Sequence, residues 1–244
     1  MKERYDRFLL EVQKEEIIRF FDEDWIKEVA RKEGRNEEKV KEDIKNHFKG
    51  ITYDLRLGEE AFTSTSKEPI NLKEKGIVKM EPGETALLMT YEKVRIPEDH
   101  MAFLSLKTKH AAKGLINISG FHIDPNWKGK LVFSLYNSGP RPVVLRYKEP
   151  IYHMFIVQLS GRAWEPAEKS GIPDEKRKKS MSFYDMEGIP SSWMESIKGP
   201  PISLVSLDKE LRVMKERQRI LIALLVAIFG SIIGILFTLV TGLV

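Results

Sequence analysis

The feature that most limits how this chain can fold is its last 25 residues, Ile220 to Val244, which contain no charged side chain. As an α-helix rising about 1.5 Å per residue, this run reaches roughly 37 Å, enough to cross a hydrocarbon core of about 30 Å. Core helices of soluble proteins are rarely this long without a polar face. The run therefore predicts a C-terminal transmembrane helix over residues 220–244 that anchors the rest of the chain.

Basic residues just before this run predict its orientation. Five of them occur within a short distance of the span, with Glu210 and Glu216 among them: Lys209, Arg212, Lys215, Arg217 and Arg219. Basic residues near the end of a span favour the cytoplasmic side. The first ten residues, MKERYDRFLL, have no apolar stretch long enough for a signal peptide. We therefore expect a single-pass membrane protein, in contact with membrane lipid, whose N-terminal part faces the cytoplasm.

Composition excludes several classes of site. The 40 basic and 36 acidic residues nearly balance, leaving a net charge of +4, so no nucleic-acid partner is expected. The chain has no cysteine, which excludes disulfides, thiolate nucleophiles and cysteine-ligated metals. None of the five histidines has another four residues away, which argues against a zinc site.

The first 50 residues have a helical pattern. Apolar residues recur at helical spacing among charges over residues 4–33, beginning with Phe8, Leu9 and Val12, until Gly34 interrupts them. Asn36 can cap a second helix, and Gly50 can end it. We expect residues 1–50 to form an N-terminal helical segment.

From residue 51 onward, short β-prone runs alternate with turn signals, as in an all-β sandwich or barrel. The runs are Tyr53–Leu57, Thr85–Tyr91, Val94–Ile96, Met101–Leu106, Leu115–Ile118, Lys130–Tyr136, Val143–Arg146 and Ile151–Leu159. They predict a mainly β domain over residues 51–161. Residues 162–201 are rich in Pro, Gly, Ser and Lys, which predicts a long connector.

An amphipathic stalk is predicted over residues 202–219, between the connector and the span. Positions there follow alternating steps of three and four that continue into the span and are apolar except for Gln218: Leu204, Leu207, Leu211, Met214, Gln218, Leu221 and Leu225. Within the span, Gly230 and Gly234 form a small-xxx-small pair. Both patterns favour parallel self-association.

Several motifs in the β region occur in a recognisable order. They are TYDLRLG at 52–58, TYEKVRIP at 90–97, FHIDPNWKGK at 121–130, LYNSG at 135–139 and PVVL at 142–145. Together they resemble the dCTP deaminase and trimeric dUTPase superfamily over residues 51–161. The resemblance implies a distorted β-barrel or jelly-roll of the dUTPase type that forms homotrimers with nucleotide sites between subunits. The trimer suits the predicted stalk, since three stalks and three anchors would surround one axis.

The family's phosphate-binding run, R-S-S-x-A-R-x-G, corresponds to KTKHAAKG at 107–114. Lys107 keeps the first positive charge and Thr108 keeps one hydroxyl, whereas Lys109 replaces a serine and Ala112 replaces the second arginine. Replacing arginine by lysine loses a planar, bidentate fork but keeps a point charge. The resemblance implies that Lys107, Thr108 and Lys109 bind nucleotide phosphates. The alternative is that they are ordinary exposed residues.

The catalytic residues of the family are only partly present in this chain. The deaminase branch has a general acid/base glutamate at the position of Ser134, and a serine hydroxyl cannot shuttle the required proton. Asp124 matches the aspartate that activates water in the dUTPase branch, although before Pro125 it is equally suited to a turn.

Three further positions follow from the resemblance. Asp54 resembles the acid that supports Mg²⁺ through water, and its alternative role is a hydrogen bond at a strand end. His122 and Trp127 lie in the hairpin motif and are expected to contact the nucleotide, His122 being otherwise structural.

Three functions remain open at this point. The first is a membrane-anchored protein that binds a deoxynucleotide at trimer interfaces and acts as a sensor or effector. The alternative is an active nucleotide pyrophosphohydrolase of the dUTPase type, using Asp124 and Mg²⁺. The third is a scaffold that has lost its ligand.

Overall fold

The computed structural model describes residues 14–159, 188–202 and 204–242. The chain divides into two compact units, Met1–Pro201 and Ile202–Val244. The helical pattern at Phe8, Leu9 and Val12 falls outside the described residues, as does most of the predicted connector.

Short helices open the first unit. A 3-10 helix at Glu16–Phe20 is followed by α1 at Glu23–Glu33 and α2 at Glu37–His47. The Asn36 side chain accepts a hydrogen bond from the Glu38 amide at 3.0 Å, which confirms the predicted cap of α2. The expected end at Gly50 is wrong. The helix stops at His47 because Phe48 is extended and forms a bridge with Tyr53.

Ten strands and two single-turn helices make up the β region. In chain order they are β1 (Thr52–Thr63), β2 (Ile70–Asn71), α3 (Leu72–Lys75), β3 (Ile77–Met80), β4 (Thr85–Arg95), β5 (His100–Leu106), α4 (Thr108–Ala111), β6 (Leu115–Asn117), β7 (His122–Ile123), β8 (Lys128–Asn137), β9 (Val143–Arg146) and β10 (Pro150–Gln158). The predicted division of β4 into two strands is wrong, because its pairing with β8 resumes at Lys93 after an irregularity.

The strands form a curled antiparallel sheet in the order β6-β8-β4-β1-β10-β5-β7, with β2 on β1 and a separate β3–β9 pair. Strand β1 joins two layers, because Thr52–Arg56 pair with β10 whereas Leu57–Thr63 pair with β4. The prediction of a mainly β, barrel-like fold with N-terminal helices is confirmed, and the sheet is curled into a half-barrel.

Gly58 lies where β1 passes from one layer to the other. A Cβ atom there would lie 2.4 Å from the Thr90 carbonyl oxygen. Gly58→Ala is therefore expected to cost about 1–3 kcal/mol and to lower the melting temperature by several degrees. Gly120→Ala is the matched control, since its Cβ meets nothing within 4 Å. Equal melting temperatures for the two variants would contradict the close approach.

The core lies between the helices and the curled sheet. Phe20, Phe21 and Trp25 pack in one cluster with strand residues such as Tyr53 and Leu88. The segment before residue 51 therefore shares its core with the strands.

A buried ion pair crosses this core. Glu92, which is fully buried, accepts hydrogen bonds from Arg56 Nε at 2.6 Å, from the Arg56 amide at 3.0 Å and from Tyr53 Oη at 3.2 Å. Arg56 also donates to Asp43 at 2.8 Å. The network ties α2 to β1 and β4, so its removal should affect the whole unit.

A second apolar cluster covers the other face of the sheet. Ile189, just before α5 (Ser191–Ile197), is buried against Phe62, Leu87 and Met89. Its amide donates to Glu60 Oε1 at 3.1 Å. This part of the predicted connector is thus packed on the sheet.

The second unit contains one continuous helix, α6, at Leu204–Thr241. Within the described residues, Leu207–Phe237 is the one helical segment long and apolar enough to cross a membrane, and the mean hydropathy of its most apolar 18 residues is 3.0. The predicted stalk and span thus form a single helix, and it remains a candidate membrane span by length and composition. Side chains at the heptad positions Leu207, Leu211 and Met214 are exposed in the single chain.

Candidate functional site

The hairpin between β7 and β8 places three of the predicted site residues together. Its turn is closed by the Trp127 amide, which donates to the Asp124 carbonyl at 3.3 Å, and Asn126 has a left-handed φ of 63°. Asp124 is 72% exposed, and one of its carboxylate oxygens lies 3.5 Å from His122 Nε2. The Trp127 indole donates to the Gly129 carbonyl at 3.4 Å and packs against the core.

A pocket of about 140 Å³ lies beside this hairpin. Asp124, His122 and Trp127 line it, with Ser119 and with Trp193 from α5. Pockets that hold small molecules usually measure about 300–1,000 Å³. The pocket of one chain is therefore too small for a whole nucleotide.

Lys107 lies at a second place, where β5 ends and α4 begins. Its ammonium donates to Asp54 Oδ1 at 2.6 Å, and both side chains are largely buried. His153 Nδ1 lies 2.9 Å from the same oxygen, although it is not aligned for a hydrogen bond. Asp54 is thus held by a neighbouring cation at the start of β1.

Lys109 is held in a similar way, two residues further along the same turn. Its ammonium donates to Glu149 Oε1 at 2.9 Å. Burial raises the pKa of the Glu149 carboxyl, but the hydrogen bonds from Lys109 and the Arg146 amide, together with the Lys109 charge, outweigh this effect and the pKa is lowered. Thr108 between the two lysines is exposed. The turn thus presents two oriented ammonium groups on either side of a hydroxyl.

His110 lies behind this turn and is fully buried. Its Nε2 lies 3.1 Å from the Pro150 carbonyl, which fixes Nε2 as the protonated nitrogen. Its Nδ1 is buried and has no hydrogen-bond partner among the described residues. Burial lowers the pKa of the imidazole, with Glu149 opposing this shift and Lys109 and Lys113 adding to it. His110 is therefore neutral in the folded protein.

This pKa shift makes stability depend on pH. The unfolded chain protonates His110 near pH 6.5, whereas the folded chain resists protonation until lower pH. The stabilisation is therefore present above about pH 6.5 and is lost as the pH falls toward the folded pKa. His110→Gln should flatten the decrease in melting temperature between pH 7 and pH 5. An unchanged slope in this variant would show that other groups cause the pH dependence.

Ser134 lies on β8, opposite Leu87 of β4. Neighbouring positions of β8 alternate between buried and partly exposed, and Ser134 is partly exposed, on the face away from the main core. The Ile118 amide donates to its carbonyl at 3.0 Å.

The geometry around Asp54 does not fit Mg²⁺. This ion requires several oxygen ligands in octahedral geometry. Asp54 contacts Lys107 and His153, whose side chains offer nitrogen rather than oxygen. Within the described residues no group of three or more His, Cys, Asp or Glu side chains could hold a metal ion.

The predicted site residues thus fall into two groups in one chain. His122, Asp124 and Trp127 surround the hairpin pocket, whereas Asp54 meets Lys107 and Lys109 meets Glu149. The hairpin group lies on β7 and the turn that follows it, whereas the lysine turn (Lys107–Lys109) lies where β5 ends and α4 begins.

Comparisons with known proteins agree with this fold. Residues 20–159, more than half of the chain, match the dCTP deaminase-like family. The chain belongs to this family. The resemblance predicted from the motifs is confirmed. The family match begins within the N-terminal helices, 31 residues before the expected start at residue 51.

Two enzymes and one solved structure are among the proteins similar to this chain. This dCTP deaminase-like chain is 36% identical to the dCTP deaminase of Pyrococcus furiosus over 114 residues, which cover 47% of this chain and 71% of that enzyme. It is 36% identical to the dCTP deaminase of Hamiltonella defensa over 144 residues, covering 49% and 75% respectively. The crystal structure of 2'-deoxycytidine 5'-triphosphate deaminase from Agrobacterium tumefaciens aligns with a TM-score of 0.40 and 16% identity, covering 46% of this chain and 41% of that one.

Three neighbours of the site in this dCTP deaminase-like chain were not predicted from the sequence. His153 faces Asp54 because the two are paired across β1 and β10, and Glu149 immediately precedes β10. Trp193 reaches the hairpin pocket from α5, about 70 residues further along the chain. No local motif marks any of them, because their positions depend on strand register and on the path of the chain after β10.

Proposed function

We propose that this chain is a membrane-anchored, dCTP deaminase-like protein that binds a deoxynucleoside triphosphate at homotrimer interfaces without deaminating it. The proposal rests on the contacts of the two lysines in the lysine turn. Lys107 and Lys109 are each oriented by a carboxylate, so their ammonium groups are positioned before a ligand arrives. Such preorganisation lowers the entropic cost of binding phosphate groups.

Loss of deamination follows from Ser134. Attack on a cytosine ring requires a group that transfers protons near neutral pH, and a serine hydroxyl is far too weak an acid. The carboxylate of the hairpin, Asp124, is highly exposed and lies in a different motif. Because Ser134 occupies the position of the family's glutamate, this chain lacks the residue that performs the general acid/base step.

A trimer would complete the site. Within the described part of one chain, the lysine turn lies where β5 ends and α4 begins, whereas the hairpin pocket lies beside the turn between β7 and β8. An interface can bring the turn of one subunit toward the hairpin of the next. Detergent-solubilised protein should have the mass of three chains, and a monomer would contradict this part of the proposal.

Membrane attachment would be provided by α6, with the first unit in the cytoplasm and the basic residues before the span at the anionic surface. A binding domain without the deaminase carboxylate, tethered to lipid, suits a sensor or effector. Nucleotide binding would then change the position of the stalk. Mg²⁺ enters this proposal only as an ion carried by the triphosphate, because the residues at Asp54 do not fit it.

One observation favours a second function, nucleotide pyrophosphohydrolysis. Asp124 is 72% exposed, with His122 at 3.5 Å, so it is free to orient and deprotonate a water molecule. Asp124→Asn should then stop hydrolysis while nucleotide binding persists or tightens, because a negative charge near the phosphates is removed. Unchanged turnover in this variant would show that Asp124 serves only to form the turn.

A thermal-shift screen of the full chain in non-ionic detergent tests the proposed function. The four deoxynucleoside triphosphates are compared with their nucleosides at millimolar concentration. A ligand at 100 times its dissociation constant stabilises by about 2.7 kcal/mol, which is easily measured. We expect at least one triphosphate to raise the melting temperature and its nucleoside to have little effect. No response to any nucleotide would favour the scaffold.

A further inference from the structure

The segment at residues 188–199, which includes α5, lies on the face of the sheet that points away from the main core, and we call it the strap. Ile189 of the strap is 5% exposed and belongs to the apolar cluster on that face. The other members of this cluster and the side chains packed against it are Phe62, Leu87, Met89, Val132, Met194 and Ile197. The strap is therefore held on the sheet by apolar contacts.

A hydrogen bond fixes each end of the strap. At its start, the Ile189 amide donates to Glu60 Oε1 at 3.1 Å, and at its end the Gly199 amide donates to the Ser64 carbonyl at 3.0 Å. The helix between them has seven residues, and helices this short are marginal without tertiary contacts. Elements with few buried apolar contacts open locally at a fraction of the free energy of global unfolding. We therefore expect the strap to detach more readily than the strands beneath it.

Trp193 connects the strap to the hairpin pocket. Its side chain forms part of the pocket wall, together with the predicted site residues Asp124 and Trp127. With this indole in place the pocket measures about 140 Å³, below the usual range of about 300–1,000 Å³ for small-molecule sites. The strap thus contributes to the small size of the pocket.

The face under the strap also carries Ser134. Along β8, Val132 and Ser134 are partly exposed whereas Phe133 between them is buried, so the two share the outer face of the sheet. Val132 packs against the cluster that contains Ile189, and Ser134 is the direct cross-strand partner of Leu87 from that cluster. The strap therefore lies beside the position at which the resemblance places the family's acid/base residue.

We propose that the strap is an autoinhibitory cover and that Trp193 is the residue that closes the hairpin pocket. This inference rests on the proposed nucleotide binding. In the closed form the indole occupies space that a ligand requires, and in the open form the strap has left the sheet. When only the open form binds, the apparent affinity is reduced in proportion to the fraction of open molecules.

Trp193→Ala tests the closure directly. A minor conformation is typically populated to about 10% or less, so removal of the closing side chain should raise the affinity at least about tenfold. The affinity is measured by calorimetric titration of the full chain in non-ionic detergent with the triphosphate that the thermal-shift screen identifies. If Trp193 were instead a contact residue for the ligand, its loss would weaken binding, so the two roles predict opposite signs.

Ile189→Ala opens the strap by a different route, because it removes the buried anchor and keeps the indole. Hydrogen exchange followed by mass spectrometry should show faster exchange over residues 188–199 in this variant than in wild type, without ligand. Saturating triphosphate should also accelerate exchange of these residues in wild type. Glu195→Ala is the matched control, since its side chain on α5 is 67% exposed, and it should keep wild-type exchange and affinity.

Three results would overturn the inference and leave nucleotide binding intact. They are an equal or lower affinity of Trp193→Ala, unchanged exchange over residues 188–199 when the triphosphate is bound, and equal exchange of Ile189→Ala and Glu195→Ala without ligand. In all three, the triphosphate still raises the melting temperature of wild type. A wild-type protein that binds no triphosphate would overturn the proposed function, and the inference would fail with it.

Discussion

Replacing Glu92 with alanine is expected to destabilise the first unit by about 3–5 kcal/mol, the usual cost of removing one partner from a buried ion pair. Glu92 is fully buried and accepts hydrogen bonds from Arg56 and Tyr53. Without it, Asp43 is the one charged partner left to the Arg56 guanidinium among the described residues. For a chain of this size the melting temperature should fall on the order of 10 °C.

An exposed ion pair provides the matched control for this change. Glu81 lies 2.6 Å from Lys79, and both side chains are about half exposed. Pairs of this kind contribute about 0–1 kcal/mol, so Glu81→Ala should leave the melting temperature nearly unchanged. Glu92→Gln should fall between wild type and Glu92→Ala because it keeps the shape but loses the charge. A Glu92→Ala protein as stable as Glu81→Ala would contradict the buried network.

Replacing Lys107 and Lys109 together with alanine should weaken triphosphate binding by roughly two to four powers of ten. Each charge-assisted contact contributes about 1.5–3 kcal/mol, and about 1.4 kcal/mol corresponds to tenfold in affinity. The loss has a second cause. Without the lysines, the Asp54 and Glu149 carboxylates face the site unpaired and repel phosphate.

This prediction is measured by calorimetric titration of the full chain, once the thermal-shift screen identifies a triphosphate. Lys73→Ala, an exposed lysine on α3, is the control and should bind as wild type does. Adding Asp54→Asn to the double variant should recover part of the affinity, because one repulsive charge is removed. Wild-type affinity in the double variant would show that the phosphates bind elsewhere.

The fold could be predicted from the sequence to the extent that local patterns determine it. The uncharged run after Ile220, the cap at Asn36 and the alternating strands all reflect local periodicity or turn chemistry, and these elements occur in the structure. Errors arose where tertiary pairing overrides local signals. Phe48 leaves α2 early to pair with Tyr53, and β4 continues through a position where the apolar pattern is interrupted.

The candidate site was less predictable because its contacts depend on the register in which the strands pair. Asp54, Lys107 and Lys109 were all identified from motifs, yet the pairing of each lysine with a carboxylate follows from how β10 lies beside β1 and β5.

The most direct test of the account is equilibrium dialysis of the full-length, detergent-solubilised protein against labelled dCTP and Mg²⁺, followed by chromatography of the label. The account predicts that the protein retains label saturably and that the label is recovered as dCTP, because Ser134 cannot serve as the deaminase acid/base. Recovery as dUTP or dUMP would contradict the loss of deamination. Absence of retained label at millimolar dCTP, with dUTP and the other deoxynucleoside triphosphates also unretained, would contradict nucleotide binding itself.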